Sequence, residues 1–180
     1  MKRTVNTTAA NLWNSKVFFP RDNYILRCIG EDNGVSSGGN PMTTLEWEIV
    51  NCEPKQIGDD LIDFDGVKFK SYHVTRVNGD EKKSDGMFKA YQDKVLVPCG
   101  IDCSEGWDDE NPPSVKGKVV CALVNGDEKQ SFASPSTEER AKGIKIGKPL
   151  KDPITGKEVV LYRPELVALY GLYEGEVRPF

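Results

Sequence analysis

The stretch that decides the fold is Ser36–Val50, SSGGNPMTTLEWEIV. It begins with residues that favour loops and ends in strict alternation, with Leu45, Trp47 and Ile49 on one side and polar side chains between them. A period of two is typical of a strand that buries one face. The stretch therefore predicts a turn at GGNPM and then a half-buried strand that carries a tryptophan between two glutamates.

Similar patterns predict further strands on both sides of this one. They lie at YILRCI (24–29), at KGKVVCALV (116–124) and at GVKFKSYHVTRV (66–77). In the last of these strands the apolar residues change from odd positions, up to Phe69, to even positions, from Tyr72 on. This change predicts a β-bulge near Ser71. The hexapeptide VNGDEK occurs at 77–82 and again at 124–129. Because nothing around the two copies matches, we interpret them as two type I′ hairpin turns at Asn-Gly and not as a duplicated domain.

Three segments predict helices. SDGMFKAYQDKVLV (84–97) has Ser84 as a candidate N-cap, and SPSTEERAKG (134–143) has the capping-box spacing of Ser136 and Glu139 before a terminating glycine. RPELVALYGLY (163–173) has Pro164 at a plausible first helical position, and DPITGKEVVLY (152–162) before it predicts a hairpin turn into a strand.

This order of elements predicts a mainly β fold: a small five-stranded barrel with one internal helix and a C-terminal extension. We assign residues 1–16 to a flexible N-terminal arm, 17–132 to the barrel, and 133–180 to an extension that packs on the barrel or on a partner. The 180 residues suffice for one such domain.

The composition limits the possible functions. There are 24 Lys and Arg against 28 Asp and Glu, a net charge of -4, which excludes a protein whose entire surface attracts nucleic acid but leaves room for a local basic surface. No apolar run approaches the roughly 20 residues of a membrane span, and the N-terminus lacks the apolar region of a secretory signal. Together with an odd number of cysteines, five, this predicts reduced thiols and location in the cytoplasm of the host cell, away from membranes.

Motifs for catalysis, cofactors or metals are missing. The one histidine, His73, has no G-x-S-x-G sequence near it, and no phosphate loop, dinucleotide fingerprint or H-E-x-x-H occurs. Cys99 and Cys103 lack the spacing of a zinc pair and need Cys121 and His73 to complete a site, so we interpret the cysteines as incidental. We expect a protein that is not an enzyme and carries no cofactor or metal.

A binding pattern remains, in which basic residues alternate with aromatic ones. Cations neutralise phosphates and aromatic rings stack on bases, which together suit single-stranded nucleic acid of any sequence. The candidate DNA-binding residues are Arg27, Trp47, Lys68, Phe69, Lys70, Tyr72, His73, Arg76, Lys116 and Lys118. The alternation of Trp47 with Leu45 and Ile49 leaves it open whether Trp47 belongs to the core or to a stacking surface.

The order FPRDNYILRCI and then SSGGNPMTTLEWEIV resembles phage-encoded single-stranded DNA-binding proteins with an OB fold. MFKAYQDKVLVPCGID and KGKVVCALVNGDEK are similar to that family's helix and the strand and hairpin after it, so the resemblance covers about residues 17–132. It implies an OB-fold-like five-stranded barrel that binds single-stranded DNA with little sequence preference in phage DNA replication or recombination. The loop before GNPM departs from the family, because it is NGVSSGG where lysines are common.

The C-terminal EGEVRPF ends in Pro179 and Phe180, similar to the Pro-Phe end with which bacterial single-stranded DNA-binding proteins dock on partners. Arg178 interrupts the acidic pattern, so a terminal strand packed on its own fold is the alternative. The expected partners are single-stranded DNA, replication or recombination proteins, and further copies of the chain. A protein-interaction or inhibitor module on an OB scaffold is the alternative function, because fold alone does not determine function.

Overall fold

The computed structural model describes residues 3–5, 19–57, 60–130, 132–151, 156–158 and 160–178. The strands are β1 (Arg3–Val5), β2 (Asp22–Val35), β3 (Pro41–Val50), β4 (Lys55–Ile57), β5 (Asp60–Ile62), β6 (Lys68–Val74), β7 (Val119–Gln130) and β8 (Val160–Leu172). The helices are α1 (Glu81–Tyr91), which continues into a π-helical turn at Gln92–Leu96, and the short α2 (Thr137–Ala141).

The main sheet has five strands in the order β6-β3-β2-β7-β8, and every neighbouring pair is antiparallel. The sheet curls until β8 lies against β6, although no backbone ladder joins these two strands in the described part of the chain. Helix α1 connects β6 to β7, which are the third and fourth strands of this sheet along the chain. These features confirm the prediction of a mainly β, OB-like barrel with one internal helix. A separate small sheet has the order β1-β5-β4.

The interior of the barrel is built by alternate residues of β2 and β3. Leu45, Trp47 and Ile49 are fully buried, as the alternation predicts, and Leu26 of β2 is buried with them. The indole Nε1 of Trp47 donates a hydrogen bond to Ser71 Oγ at 2.8 Å. Trp47 is therefore a core residue, which answers the question that the sequence left open.

The register of β6 with β3 is regular along the whole length of β6. Its ladder with β3 runs without interruption from Met42 opposite Val74 to Glu48 opposite Lys68, so the predicted bulge near Ser71 is wrong. Ser71 points inward although it is polar, because Trp47 supplies its hydrogen bond. Tyr72 consequently points outward, and the irregularity lies in β2 between Cys28 and Gly30 instead.

Neither copy of VNGDEK forms a hairpin, so that prediction is wrong. In the first copy Asp80 is the N-cap of α1, accepting from the backbone N–H of Lys83 at 2.9 Å, and the helix therefore begins before Ser84. The second copy continues within β7. Gly126 is required there because a Cβ atom would collide with the carbonyl oxygen of Phe19.

The barrel does not end at residue 132. The segment 163–173, predicted as a helix, lies almost entirely within β8, where pairing with β7 satisfies its backbone, so the fifth strand comes from the supposed extension. The capping box of α2 is confirmed, with Ser136 N–H bonded to Glu139 Oε2 at 2.8 Å and Glu139 N–H to Ser136 Oγ at 3.2 Å. The turn predicted at 152–155 and most of the 1–16 arm lie outside the described residues.

The core position of Trp47 predicts a large loss of stability in Trp47→Ala. The substitution removes a fully buried indole and leaves Ser71 without its donor, so we expect the free energy of unfolding to fall by about 3–5 kcal/mol. Tyr72→Ala is the control, since its ring is exposed on the neighbouring strand and its loss should change stability by less than about 0.5 kcal/mol. Urea unfolding measures both, and equal losses would contradict the assignment of the two faces.

Candidate nucleic-acid interface

The outer face of β6 presents three of the sequence-predicted residues in a row. Lys68, Lys70 and Tyr72 alternate with inward-facing residues, and the ring of Tyr72 is 64% exposed. Both lysines are exposed, and neither forms an ion pair with any residue that the structure describes. We call these three residues the β6 stripe. It combines two unneutralised cations with one accessible aromatic ring.

Carboxylates lie beside the β6 stripe on the adjacent strand. Across the ladder, Glu48 is opposite Lys68 and Glu46 is opposite Lys70. On the other side of β3, Arg27 donates to Glu48 Oε2 at 2.9 Å, so its charge is already neutralised. The outer face of β2, β3 and β6 is therefore mixed in sign, and its unneutralised positive charge is confined to β6.

The remaining aromatic residues predicted on β6 face inward. Phe69 is buried in the core beside Trp47 and offers no stacking surface. His73 is partly buried, with Nε2 2.8 Å from Ser71 Oγ and its ring 5.4 Å from the ring of Tyr91. Burial lowers the pKa of His73 to about 4, so the imidazole is neutral at pH 7 and contributes no charge toward phosphate.

His73 lines a groove of about 450 Å³ at the place where β6 and β8 lack a shared ladder. Helix α1 lines this groove with Met87 and Tyr91, and β8 lines it with Val167. Met87 and Val167 are 40% and 46% exposed. The groove is thus mainly apolar and lies beside the β6 stripe, with Tyr72 shared between them.

Arg76 is not available as an unneutralised cation. Its guanidinium binds Asp109 Oδ1 at 3.2 Å and Glu110 Oε1 at 2.5 Å. The pKa of Arg76 is raised, first by its hydrogen bond to Glu110. Arg76 therefore links the end of β6 to the acidic loop at 108–110 and lies outside the β6 stripe.

The GGNPM turn is anchored to the body of the protein. Asn40 Oδ1 accepts from the backbone N–H of Asn78 at 2.9 Å, and Asn78 Nδ2 donates to the carbonyl of Gly39 at 2.9 Å. Pro41 begins β3, and its carbonyl accepts from the N–H of Thr75 at 3.0 Å. These bonds hold the β2–β3 turn against the start of the 77–80 turn. The GGNPM sequence therefore has a structural role.

Lys116 and Lys118 lie in the turn that leads into β7. The carbonyl of Lys118 accepts from the N–H of Cys28 at 2.9 Å, which places this turn beside β2. Strands β2 and β3 separate it from β6, a distance of about 14 Å at the usual spacing between strands. The structure therefore does not bring these two lysines together with the β6 stripe.

The cysteines do not form a recognisable reactive or metal-binding centre. All five are free, and no group of three or more His, Cys, Asp or Glu side chains in the described ranges is arranged to hold a metal ion. Burial raises the pKa of Cys28 and of Cys52 to about 11 and that of Cys99 to about 12. These thiols are therefore protonated at neutral pH and poorly nucleophilic.

The C-terminal segment is held at the end of β3. Asn51, which has a positive φ of 53°, donates from Nδ2 to the carbonyl of Glu176 at 2.7 Å and accepts from the N–H of Arg178 at 2.7 Å. Arg178 also binds Glu53 at 2.6 Å. Pro179 and Phe180 lie outside the described residues, so their docking on a partner remains a prediction.

One basic segment is not among the site residues predicted from the sequence. Between 140 and 151 the chain reads RAKGIKIGKPLK, which contains five cations and no carboxylate. The pattern was visible in the sequence, but it fell in the segment assigned to an extension. In the structure this segment is carried by β7 and β8 of the barrel itself.

Comparisons with known proteins do not assign the chain to a family. No protein-family model matches it, and neither curated proteins nor solved structures show significant similarity. Within the described residues, no helix has the length and apolar character needed to cross a membrane. We therefore infer a function from the geometry of the barrel surface.

The buried position of His73 predicts a specific loss of stability in acid. The folded-state pKa of about 4 lies below the ordinary value of 6.5, so between these pH values the unfolded chain binds a proton that the folded chain does not. The free energy of unfolding should fall as the pH drops through this window, by on the order of 3 kcal/mol. Urea titrations of wild type and His73→Gln measure the effect, with the glutamine variant expected to change less. If the free energy of unfolding depended on pH in the same way in both proteins, His73 would be excluded as the cause of the loss in acid.

Proposed function

We propose that the protein binds single-stranded DNA with little sequence preference and is not an enzyme. The observation that carries the proposal is the β6 stripe, in which an exposed tyrosine continues a row of two unneutralised lysines. The stripe lies on the third strand of an OB-like barrel, and β3, the second strand, is its neighbour. OB barrels bind oligonucleotides on the face formed by these two strands.

The chemistry of the β6 stripe suits a flexible polyanion with accessible bases. Lys68 and Lys70 are spaced two residues apart on one face, about 7 Å, and each can approach one phosphate. Tyr72 offers a ring on which any base can stack, worth about 1–3 kcal/mol. Neither interaction reads a base edge, so sequence preference should be weak.

The adjacent glutamates lower the expected affinity. Glu46 repels phosphates from β3, and Glu48, which is buried and paired with Arg27, does not attract them, so a bound strand should follow β6 and avoid the middle of the sheet. Binding should accordingly be moderate and strongly dependent on salt. A role in phage DNA replication or recombination within the host cytoplasm is part of this proposal and is supported by the resemblance of residues 17–132.

Titration with oligo-dT at several salt concentrations tests the two lysines. Affinity should fall as the salt concentration rises. The double variant Lys68→Gln with Lys70→Gln should reduce the steepness of log K plotted against log[salt] by about 1.4, because each phosphate that a lysine neutralises adds about 0.7 to this log–log slope. The control is Lys82→Gln with Lys83→Gln, which removes the same formal charge from the first turn of α1, where Lys83 is paired with Asp80 at 3.5 Å. Wild-type protein that does not bind at low salt would contradict the proposal, and equal slopes in both double variants would contradict the role of the β6 stripe.

Replacement of Tyr72 tests stacking separately from charge. Tyr72→Ala should weaken oligo-dT binding by roughly tenfold, because about 1.4 kcal/mol of stacking is removed, while Tyr72→Phe should bind like wild type. Tyr170→Ala is the control, since Tyr170 is 58% exposed on β8. Fluorescence anisotropy of a labelled oligonucleotide at fixed salt measures all four proteins. An unchanged affinity in Tyr72→Ala would remove stacking on this ring from the proposal.

A protein-interaction module is the second candidate function. The apolar groove between β6, α1 and β8 supports it, because Met87 and Val167 expose apolar surface beside an opening in the barrel. The two functions are distinguished by the low-salt titration of the wild type. If the wild type does not bind oligo-dT at low salt, the apolar groove becomes the leading candidate for a binding surface.

A further inference from the structure

A second basic surface lies on residues 132–151, in the part of the chain between β7 and β8. We call this surface the basic lobe. It contains Arg140, Lys142, Lys145, Lys148 and Lys151, against only two carboxylates, Glu138 and Glu139. The lobe therefore carries a net charge of +3, while the whole chain carries -4. Such a separation of charge concentrates positive potential on one part of an acidic protein.

The cations of the basic lobe are free to meet an external anion. All five are exposed, and among the described residues none of them forms an ion pair. Glu139 is occupied by the capping box of α2, where it accepts from the N–H of Ser136. Glu158 lies across a β-bridge from Lys151, but in the described part of the chain the five cations lack the ion pairs that neutralise Arg27 and Arg76 on the barrel.

An aromatic ring accompanies these cations. Phe132 is 44% exposed and its backbone is bridged to Pro149, while the N–H of Ala133 donates to the carbonyl of Lys148 at 2.9 Å. The backbone of Phe132 therefore lies opposite Pro149, within the segment that carries the lysines, although seventeen positions separate the two residues in the sequence. Like the β6 stripe, the basic lobe therefore contains both an exposed aromatic ring and exposed lysines without an ion-pair partner among the described residues.

The topology places the lobe at a particular end of the barrel. The last pair between β2 and β7 is Asp22 with Val124, and beyond it β7 and β8 form six further pairs, an arm of about 20 Å. This arm leaves the sheet at the end where Lys68, and not Tyr72, lies on β6. A strand of nucleic acid that follows the stripe from Tyr72 to Lys68 is directed toward that end.

We propose that the basic lobe is a second binding surface for the same single strand of DNA that binds the β6 stripe. The inference rests on the proposed function and extends it, since it makes the bound segment longer than one barrel face. The lysines of the lobe neutralise phosphates and Phe132 stacks on a base. A single-stranded polyanion is favoured because the lobe offers both kinds of interaction within a few residues.

Binding of oligo-dT of two lengths tests this inference. One oligonucleotide has about 8 nucleotides, within the range that a single OB barrel covers, and the other has about 30. With the long oligonucleotide, Lys145→Gln, Lys148→Gln and Lys151→Gln together should reduce the log–log salt slope by about 2, the value for three phosphates. The control removes three exposed lysines of α1 by Lys82→Gln, Lys83→Gln and Lys89→Gln and should leave the slope unchanged; Lys83 and Lys89 are paired with Asp80 and Asp93.

The possible results separate the two proposals. If the wild type binds neither oligonucleotide at low salt, the proposed function fails and the inference fails with it. If the wild type binds both and the lobe triple variant keeps the wild-type slope on the long one, only the inference is overturned. The inference is also overturned if the triple variant loses binding to vesicles of anionic phospholipid while its DNA slope stays unchanged. Thermal melting of each variant checks that the exposed substitutions leave the fold intact.

Discussion

The hydrogen bond from Trp47 to Ser71 fixes which faces of β3 and β6 point outward. Side chains alternate along a strand, so a shift of one residue would exchange the buried and exposed sets completely. A buried indole N–H needs an acceptor, and Ser71 on the neighbouring strand supplies it at 2.8 Å. Because this pair lies inside the barrel, Lys68, Lys70 and Tyr72 must lie outside it. The proposed binding surface is thus a consequence of how the core is packed.

Carboxylates determine which cations remain available. Arg27 is neutralised by Glu48, Arg76 by Asp109 and Glu110, and Lys55 by Asp22. The β6 stripe and the basic lobe each keep several cations that form no ion pair with a described residue. This arrangement is compatible with the proposed polyanionic ligand of a net acidic protein, because the acidic residues limit where a strand can lie without preventing its approach.

Much of the barrel could be predicted because β3 has an unambiguous period of two. The phase of β6 could not, since Ser71 and His73 are polar residues that face inward, and only their partners on other elements explain that direction. The helix predicted at 163–173 failed because pairing with β7 overrides local preference, even at Pro164. The two VNGDEK copies show the same dependence on context: one caps a helix and the other lies within a strand. The residues of the β6 stripe are among those predicted from the sequence, but their separation from the buried Trp47 and Phe69 required the fold.

The most direct test of the account is photo-crosslinking of the protein to oligo-dT that carries 5-iododeoxyuridine, followed by mass spectrometry of the peptides. A halogenated base crosslinks preferentially to the aromatic ring on which it stacks, so the measurement identifies the stacked residue without any substitution. The account predicts a crosslink to Tyr72 on β6. Crosslinks confined to other aromatic residues, such as Tyr170 on β8, would contradict the claim that the β6 stripe is where the barrel binds single-stranded DNA.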